Sequence, residues 1–249
     1  MYPIFTHIKI YITRNEFISM DILNVIIENK EMLKILYGLI VVIICMIIVF
    51  KTDKIFRLSL YKGIRYLRNA FLFYGLAFFI RYIIGGLIIF GILNQSLNVT
   101  EILLFEFFLV MAGFFLLYSL IWKRIEGIGY KYPSTLVNPR IGIFYLITLG
   151  IVYLDFVWET FHFMFFSQIA IFTIATIISL RNFIKGSKQH RFLKFYFLAM
   201  FLSLVAWILN AISAYYYNWD KGIMINILLI NIIIFLLFLY GVVKVTKRK

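Results

Sequence analysis

Long apolar runs separated by short basic stretches dominate the chain. A helix needs about 20 mostly apolar residues to cross the hydrocarbon core of a bilayer, and seven runs meet that length approximately. The predicted spans are 34–50, 70–93, 102–122, 141–157, 162–180, 195–216 and 223–243. The pattern predicts an all-α, polytopic membrane protein. An N-terminal segment of residues 1–33 would precede a seven-helix transmembrane domain of residues 34–249.

The fourth and fifth spans are predicted from a long stretch, 141–180, that contains no Lys or Arg. A single helix of that length would be about 60 Å long, twice the thickness of the hydrocarbon core. A helical hairpin is therefore the simpler solution. Its turn is predicted in the polar stretch from Asp155 to His162.

The composition agrees with this pattern. Hydrophobic residues make up 63% of the 249 residues and charged residues only 14%, against about 45–50% and about 25% in soluble domains. These values exclude an ordinary soluble domain and a disordered chain. The single cysteine, Cys45, lies in an apolar run, so a disulfide within the chain is impossible.

The net charge of +14 becomes informative once it is divided among the loops. The segments 51–69, 123–140, 181–194 and 244–249 hold 19 of the 25 basic residues but only two acids, Asp53 and Glu126. With seven spans these segments share one side, and the positive-inside rule makes that side cytoplasmic. We therefore expect the N-terminus outside and the C-terminus in the cytoplasm.

The same distribution bears on location and partners. It identifies the lipid bilayer as the main partner and gives no support for nucleic-acid binding, because the aromatic residues lie in the spans. No secretory signal pattern precedes the first span. We expect a multi-pass protein of the cell membrane, in keeping with a prokaryotic plasma membrane.

Two parts of the sequence resemble each other. Residues 65–83 align without gaps with 191–209, pairing Arg65 with Arg191 and Phe71 with Phe197. A parallel repeat of spans 1–3 and 5–7, linked by span 4, would explain this similarity. Chance similarity between apolar helices is the alternative.

This 3+1+3 plan and its orientation are similar to those of the SWEET sugar transporters. Helices of that family carry prolines and a Pro-Gln motif. Here Pro3, Pro133 and Pro139 all lie outside the predicted spans. The resemblance therefore concerns architecture alone, and it implies no site residues for this chain.

Arg81 lies near the middle of the second span, where an unpaired charge costs from about 2.5 to more than 10 kcal/mol. Its predicted partner is Glu106, one turn inside the third span, with Asp155 as the other acid in reach. A buried ion pair that fixes helix register is one interpretation. An anion or proton site in a cavity is the other.

Asp155, Glu159 and His162 follow the spacing i, i+4, i+7, which would place them on one face of a continuous helix. Two carboxylates and an imidazole are weak candidates for a metal or proton-relay site. The predicted hairpin turn would break that face. An interfacial turn is therefore the favoured interpretation.

Weakly polar residues also occur inside the spans. The favoured interpretation is that they form hydrogen bonds between helices. The alternative is that they line a path for a solute, and Asn210 is the candidate for that role. The residues are Gln168, Thr173, Thr176, Ser203, Asn210, Asn226 and Asn231.

No motif for phosphate binding, zinc proteolysis or nucleophilic hydrolysis is present, so we predict neither an enzyme nor a cofactor. The favoured function is a small-solute or ion permease in which Arg81, Glu106 and Asn210 form the pathway. The alternative is a seven-helix sensor, receptor or membrane scaffold, which would act through a cytoplasmic partner protein or as a homo-oligomer. An intramembrane enzyme would rest on Asp155, Glu159 and His162 alone.

Overall fold

The computed structural model describes residues 30–59, 62–126, 136, 139–185, 191–216 and 221–246. Within these ranges the chain is helical and contains no strand. The helices are α1 (Lys30–Ser59), α2 (Lys62–Ile89), α3 (Asn98–Glu126), α4 (Pro139–Trp158), α5 (His162–Lys185), α6 (Arg191–Tyr216) and α7 (Lys221–Thr246). A short 3₁₀ turn, Gln95–Leu97, precedes α3.

All seven helices are long and apolar enough to cross a membrane, which confirms the predicted fold class of a multi-pass, seven-helix protein. The helices extend beyond the apolar runs that predicted them. For example, α1 continues nine residues past the expected end at residue 50, to Ser59. An ion pair of 2.9 Å between Arg57 and Asp53, one turn apart, supports this basic extension.

The hairpin between α4 and α5 is confirmed, with its turn at residues 159–161. Glu159 adopts a left-handed conformation, with φ of 51°. The Thr160 N–H donates to the Asp155 carbonyl at 3.0 Å. These features are typical of a Schellman-type helix end, which lets the chain reverse within three residues.

Six helices form a closed ring. Around it each helix packs against the next in the order α1, α2, α3, α5, α6, α7, and α7 packs back against α1. Helix α4 stands outside the ring and packs against α3 and α5. Its outer face, which includes Leu146 at 71% exposure, is suited to contact with lipid.

The ring divides into two triplets of consecutive helices, α1–α3 (the first triplet) and α5–α7 (the second triplet). We call the end where α1, α3, α5 and α7 begin the mouth end, and the opposite end the basic end. Among the residues described, Arg65, Lys123, Arg181 and Lys244 all lie toward the basic end.

Glycines let α1 and α2 of the first triplet pack closely together. At Gly38 of α1 a Cβ atom would lie 2.3 Å from the Tyr82 Cβ, and at Gly86 of α2 it would lie 2.6 Å from the Ile35 Cδ1. Such contacts let two backbones approach closely, as is common in membrane helix packing. Helices α1 and α2 therefore form a compact pair beside the ring centre.

Some predictions remain predictions. The orientation in the membrane and the internal repeat are not tested by the structure. Most of the predicted N-terminal segment, residues 1–29, lies outside the described residues, as do 127–135, 186–190 and 247–249 in the basic segments.

Candidate functional site

A cavity of about 840 Å³ occupies the centre of the six-helix ring. All six ring helices and the α4–α5 turn contribute to its wall, whereas helix α4 does not. The volume lies in the usual range for small-molecule sites, about 300–1,000 Å³. Aromatic side chains form much of the wall: Phe71, Tyr74, Phe78, Tyr82, Phe105, Phe161, Phe165, Phe172, Trp207, Tyr215, Phe235 and Phe238.

The cavity begins at the mouth end and is deep. Its lining includes the exposed residues Ile89, Glu159 and His162 at that end. It also includes Leu116 of α3, which lies about 27 Å along the helix axis from the start of α3 at 1.5 Å per residue. The cavity therefore extends through more than half of the bundle.

Arg81 lines this cavity from a distorted part of α2. Residues Phe79–Ile84 form a π-helical turn, in which the Gly85 N–H donates to the carbonyl of Ile80, five residues earlier. π-helical turns are rare and are frequently found at functional sites. Here the turn contains the charged residue that the sequence singled out.

The partner of Arg81 is Glu101 of α3, with the Arg81 Nη1 3.3 Å from each carboxylate oxygen. The prediction that Arg81 pairs with Glu106 or Asp155 was therefore wrong. Glu101 and Glu106 are five residues apart, so their side chains leave the helix about 140° apart. The hydrophobic pattern of the sequence does not show which of these two faces of α3 is turned toward α2.

The neighbourhood of the ion pair is closely packed. A Cβ on Gly85 would lie 3.2 Å from the Glu101 Oε1, so the missing side chain leaves room for the carboxylate. The Arg81 guanidinium lies over the Phe105 ring, 5.5 Å from its centroid, in a cation–π contact. Glu101 keeps 2% of its side chain exposed and Arg81 keeps 39%, so the cation is the member that the cavity exposes.

Glu106 lies elsewhere. It is buried, with 1% exposure, and it is not among the residues that line the cavity. It lies near enough to Arg81 and to Asp155 of α4 to feel their charges, but the ion pair of Arg81 is with Glu101 and not with Glu106. Its predicted place in the solute pathway therefore finds no support in the cavity.

Asp155 has a structural task. Its carboxylate accepts hydrogen bonds from the backbone N–H groups of Phe163, at 3.0 Å, and Met164, at 2.7 Å. A carboxylate that caps a helix N-terminus in this way satisfies donors without intrahelical partners. Asp155 thus joins the end of α4 to the start of α5, a role that its spacing did not reveal.

The predicted metal candidates do not form one cluster. Asp155 is buried under the turn, whereas Glu159 and His162 are exposed and line the mouth of the cavity. The His162 ring stacks on Tyr215 with centroids 4.8 Å apart. Among the described residues, no group of three His, Cys, Asp or Glu side chains could hold a metal ion.

Three of the seven weakly polar residues bond within their own helix and not between helices, contrary to the favoured interpretation. Asn210, Thr173 and Ser203 each donate to a carbonyl four residues earlier in their own helix, a local arrangement available to short polar side chains. Gln168 of α5 does bond across helices, donating to the Leu109 carbonyl of α3 at 3.2 Å.

Three of these polar residues line the cavity: Ser203, Asn210 and Asn231. Two come from α6 and one from α7. The second triplet therefore supplies amide and hydroxyl groups to the wall.

An aromatic cluster closes the cavity on the side of the basic end. We call Tyr66, Phe71, Tyr118, Tyr196 and Phe238 the barrier; all five side chains are buried. Phe71 of α2 contacts Phe238 of α7 with centroids 5.1 Å apart, and Tyr196 contacts Phe238 at 6.0 Å.

The barrier also connects the two triplets. The Tyr196 hydroxyl of α6 lies 3.2 Å from the Ser119 Oγ of α3, within hydrogen-bond distance. Together with the contact between Phe71 and Phe238, this bond crosses the ring from the first triplet to the second. The described part of the cavity therefore opens at the mouth end and is closed toward the basic end.

Comparisons with known proteins show a similarity over part of the chain. The chain is 28% identical over 121 residues to a protein of Archaeoglobus fulgidus described as uncharacterized. The aligned region covers 45% of this chain and 52% of that protein. The chain thus spans about half the length of the curated relative it matches. No family model and no solved structure matches the chain.

Proposed function

We propose that the chain is a permease for a small solute or ion, with Arg81 as the charged group of its pathway. The observation that carries this proposal is the cavity at the ring centre, which reaches Arg81 from the mouth end and, in the part of the chain that the structure describes, stops at the barrier. A lipid-sealed, solid bundle would have had no place for a solute. Arg81, exposed to the cavity, is positioned to meet one.

The ring arrangement supports the same proposal. Around the ring, the last helix of each triplet packs against the first helix of the other: α3 against α5, and α7 against α1. Exchanging the two triplets therefore leaves the order of neighbouring helices unchanged. Transporters built from two such halves move a solute by rocking one half against the other around a central site. The barrier contacts between Phe71 and Phe238 are the ones that such a motion would break.

The proposal is tested by uptake into proteoliposomes from a panel of labelled solutes and ions. Ala206 lines the cavity, so Ala206→Phe should place a ring in the solute path and abolish uptake. The matched control is Ala170→Phe, which adds the same side chain at an exposed position of the neighbouring helix α5. Uptake that survives Ala206→Phe, or no uptake of any tested solute, would contradict the proposal.

A receptor is the second candidate, because a ligand sensor also requires a cavity that a ligand can enter from one side of the membrane. Binding and transport separate the two. A ligand that occupies the cavity yet never crosses the bilayer would favour the receptor and a cytoplasmic partner protein. We propose the cell membrane as the setting in both cases, with the basic end in the cytoplasm.

A further inference from the structure

The Arg81 guanidinium has donors to spare. Arginine carries five N–H donors in a planar fork. The hydrogen bonds of Arg81 to Glu101 both involve Nη1. Among the described residues, Nε and Nη2 have no protein acceptor, although the side chain is 39% exposed where it lines the cavity. The edge formed by Nε and Nη2 matches the two oxygens of a carboxylate.

The charges around the cavity limit the ligand. Lys34 of α1 and Arg81 of α2 are the basic lining residues described, and Glu101 and Glu159 are the acidic ones, with His162 at the mouth. Glu101 is almost fully buried behind Arg81, so a solute at this depth meets the guanidinium first. Because Glu101 already offsets the charge of Arg81, a single negative charge suits this lining better than two.

The wall around Arg81 indicates the rest of the ligand. Phe78 and Tyr82 of α2, Trp207 of α6 and Phe235 of α7 line the same cavity. An inorganic anion would leave these rings facing water, whereas an apolar body would bury them at about 25 cal/mol per Å². The cavity volume of about 840 Å³ leaves room for such a body.

We propose that the solute of this cavity is an organic monocarboxylate with an aromatic or aliphatic body. Its carboxylate takes the Nε–Nη2 edge of Arg81, and its apolar part packs against the aromatic wall. This inference rests on the proposed function, because it takes the permease cavity as the solute site.

The test measures binding to the purified full chain in lipid nanodiscs, by calorimetry and by the change in intrinsic tryptophan fluorescence, to which Trp207 of the cavity wall contributes. Four probes share one aromatic body: 3-phenylpropionate, 3-phenylpropionamide, 3-phenylpropylamine and phenylalanine. The carboxylate should bind at least about tenfold more tightly than the neutral amide, because hydrogen bonds to charged groups are the stronger ones. Equal binding of carboxylate and amide, preferred binding of the amine or the zwitterion, or no binding at all would overturn the inference.

Variants locate the site. Arg81→Gln should remove the preference for the carboxylate over the amide, and Arg81→Lys should retain only part of it because an ammonium lacks the fork. Arg57→Gln is the matched control, since Arg57 also pairs with an acid but is 79% exposed in the basic extension of α1. A preference unchanged in Arg81→Gln would place the ligand elsewhere. The wild-type probe series stands independently if a variant does not fold.

The two proposals fail in different ways. Selective carboxylate binding without uptake in proteoliposomes would overturn the permease and keep the inference. Uptake of neutral or cationic solutes without carboxylate binding would overturn the inference and keep the permease.

Discussion

The two triplets of the ring have equivalent neighbours but different chemistry. Among the side chains that the structure describes, the charged lining residues of the ring helices come from the first triplet: Lys34, Arg81 and Glu101. The second triplet supplies uncharged polar groups, among them Asn210 and Asn231, together with several aromatic rings. The comparison teaches that two triplets with the same order of neighbouring helices can line a cavity with different chemistry. One half anchors a charge, and the other half shapes the space around it.

The largest expected effect is a difference in uptake rate between two variants, each of which removes one polar residue from one triplet. Arg81→Leu should lower the initial uptake rate about a hundredfold or more, because it removes the exposed cation and leaves Glu101 without its ion-pair partner. Asn210→Leu should lower it only a few fold, because the Asn210 side chain already donates to its own helix at Ala206. Initial rates in proteoliposomes of equal protein density measure both.

Equal losses in these two variants would contradict the division of labour between the triplets. Arg57→Leu should leave uptake unchanged, since Arg57 lies outside the cavity lining. The double variant Arg81→Leu/Glu101→Gln removes the unpaired acid. It separates loss of the solute site from loss of folding.

The next effect concerns stability and the tight α1–α2 pair. Gly38→Ala should destabilise the protein by about 1–3 kcal/mol, because the new Cβ would meet the Tyr82 Cβ, which cannot move without its backbone. Gly142→Ala on the peripheral helix α4 is the control, since nothing lies within 4 Å of its added Cβ. Denaturation in mild detergent, followed by circular dichroism, gives both values. Two equal midpoints would show that the close approach is dispensable.

A smaller effect is expected at the barrier. Phe238→Ala removes the ring that touches both Phe71 and Tyr196, and it should produce a several-fold faster leak of preloaded solute from proteoliposomes. Phe201→Ala, at an outward-facing position of α6 with 46% exposure, should not change the leak. An unchanged leak in Phe238→Ala would mean that the cavity is closed by other groups.

The smallest effect is expected where the triplets meet along α3 and α5. Gln168→Leu removes the hydrogen bond to the Leu109 carbonyl and should cost about 0.6 kcal/mol, the average for such bonds inside membranes. Reversible unfolding in mixed micelles can resolve a change of this size. A loss above about 2 kcal/mol would show that this junction, and not the α1–α2 pair, is the rigid part of the ring.

Much of the fold could be predicted from the sequence. Seven helices follow from seven apolar runs, and the α4–α5 hairpin follows from the absence of basic residues between Arg140 and Arg181. These features depend on hydrophobicity along the chain, which the sequence displays directly. The ring order could not be predicted, because it depends on close contacts such as Gly38 with Tyr82 that no periodicity reveals.

The candidate site was predictable in part. Arg81 and Asn210 were identified because a polar group in an apolar span is costly and therefore conspicuous. The partner Glu101 was missed because it lies in the first turn of α3, where a carboxylate is ordinary. Glu106 was predicted as the partner of Arg81 because it lies deeper in the third span than Glu101. Helix rotation and not depth decides which side chain reaches the cavity.

The π-helical turn in α2 also makes α2 sensitive to a change in length. Such a turn holds one residue more than an α-helical turn, because its hydrogen bonds close over five residues and not four. A chain one residue shorter within Phe79–Ile84 could continue as an ordinary α-helix and keep Phe71 and Gly86 on their present faces. Arg81 would then lose its direction toward Glu101. A single deletion could thus preserve the fold of a descendant while erasing its charge site, and a single insertion could have created it.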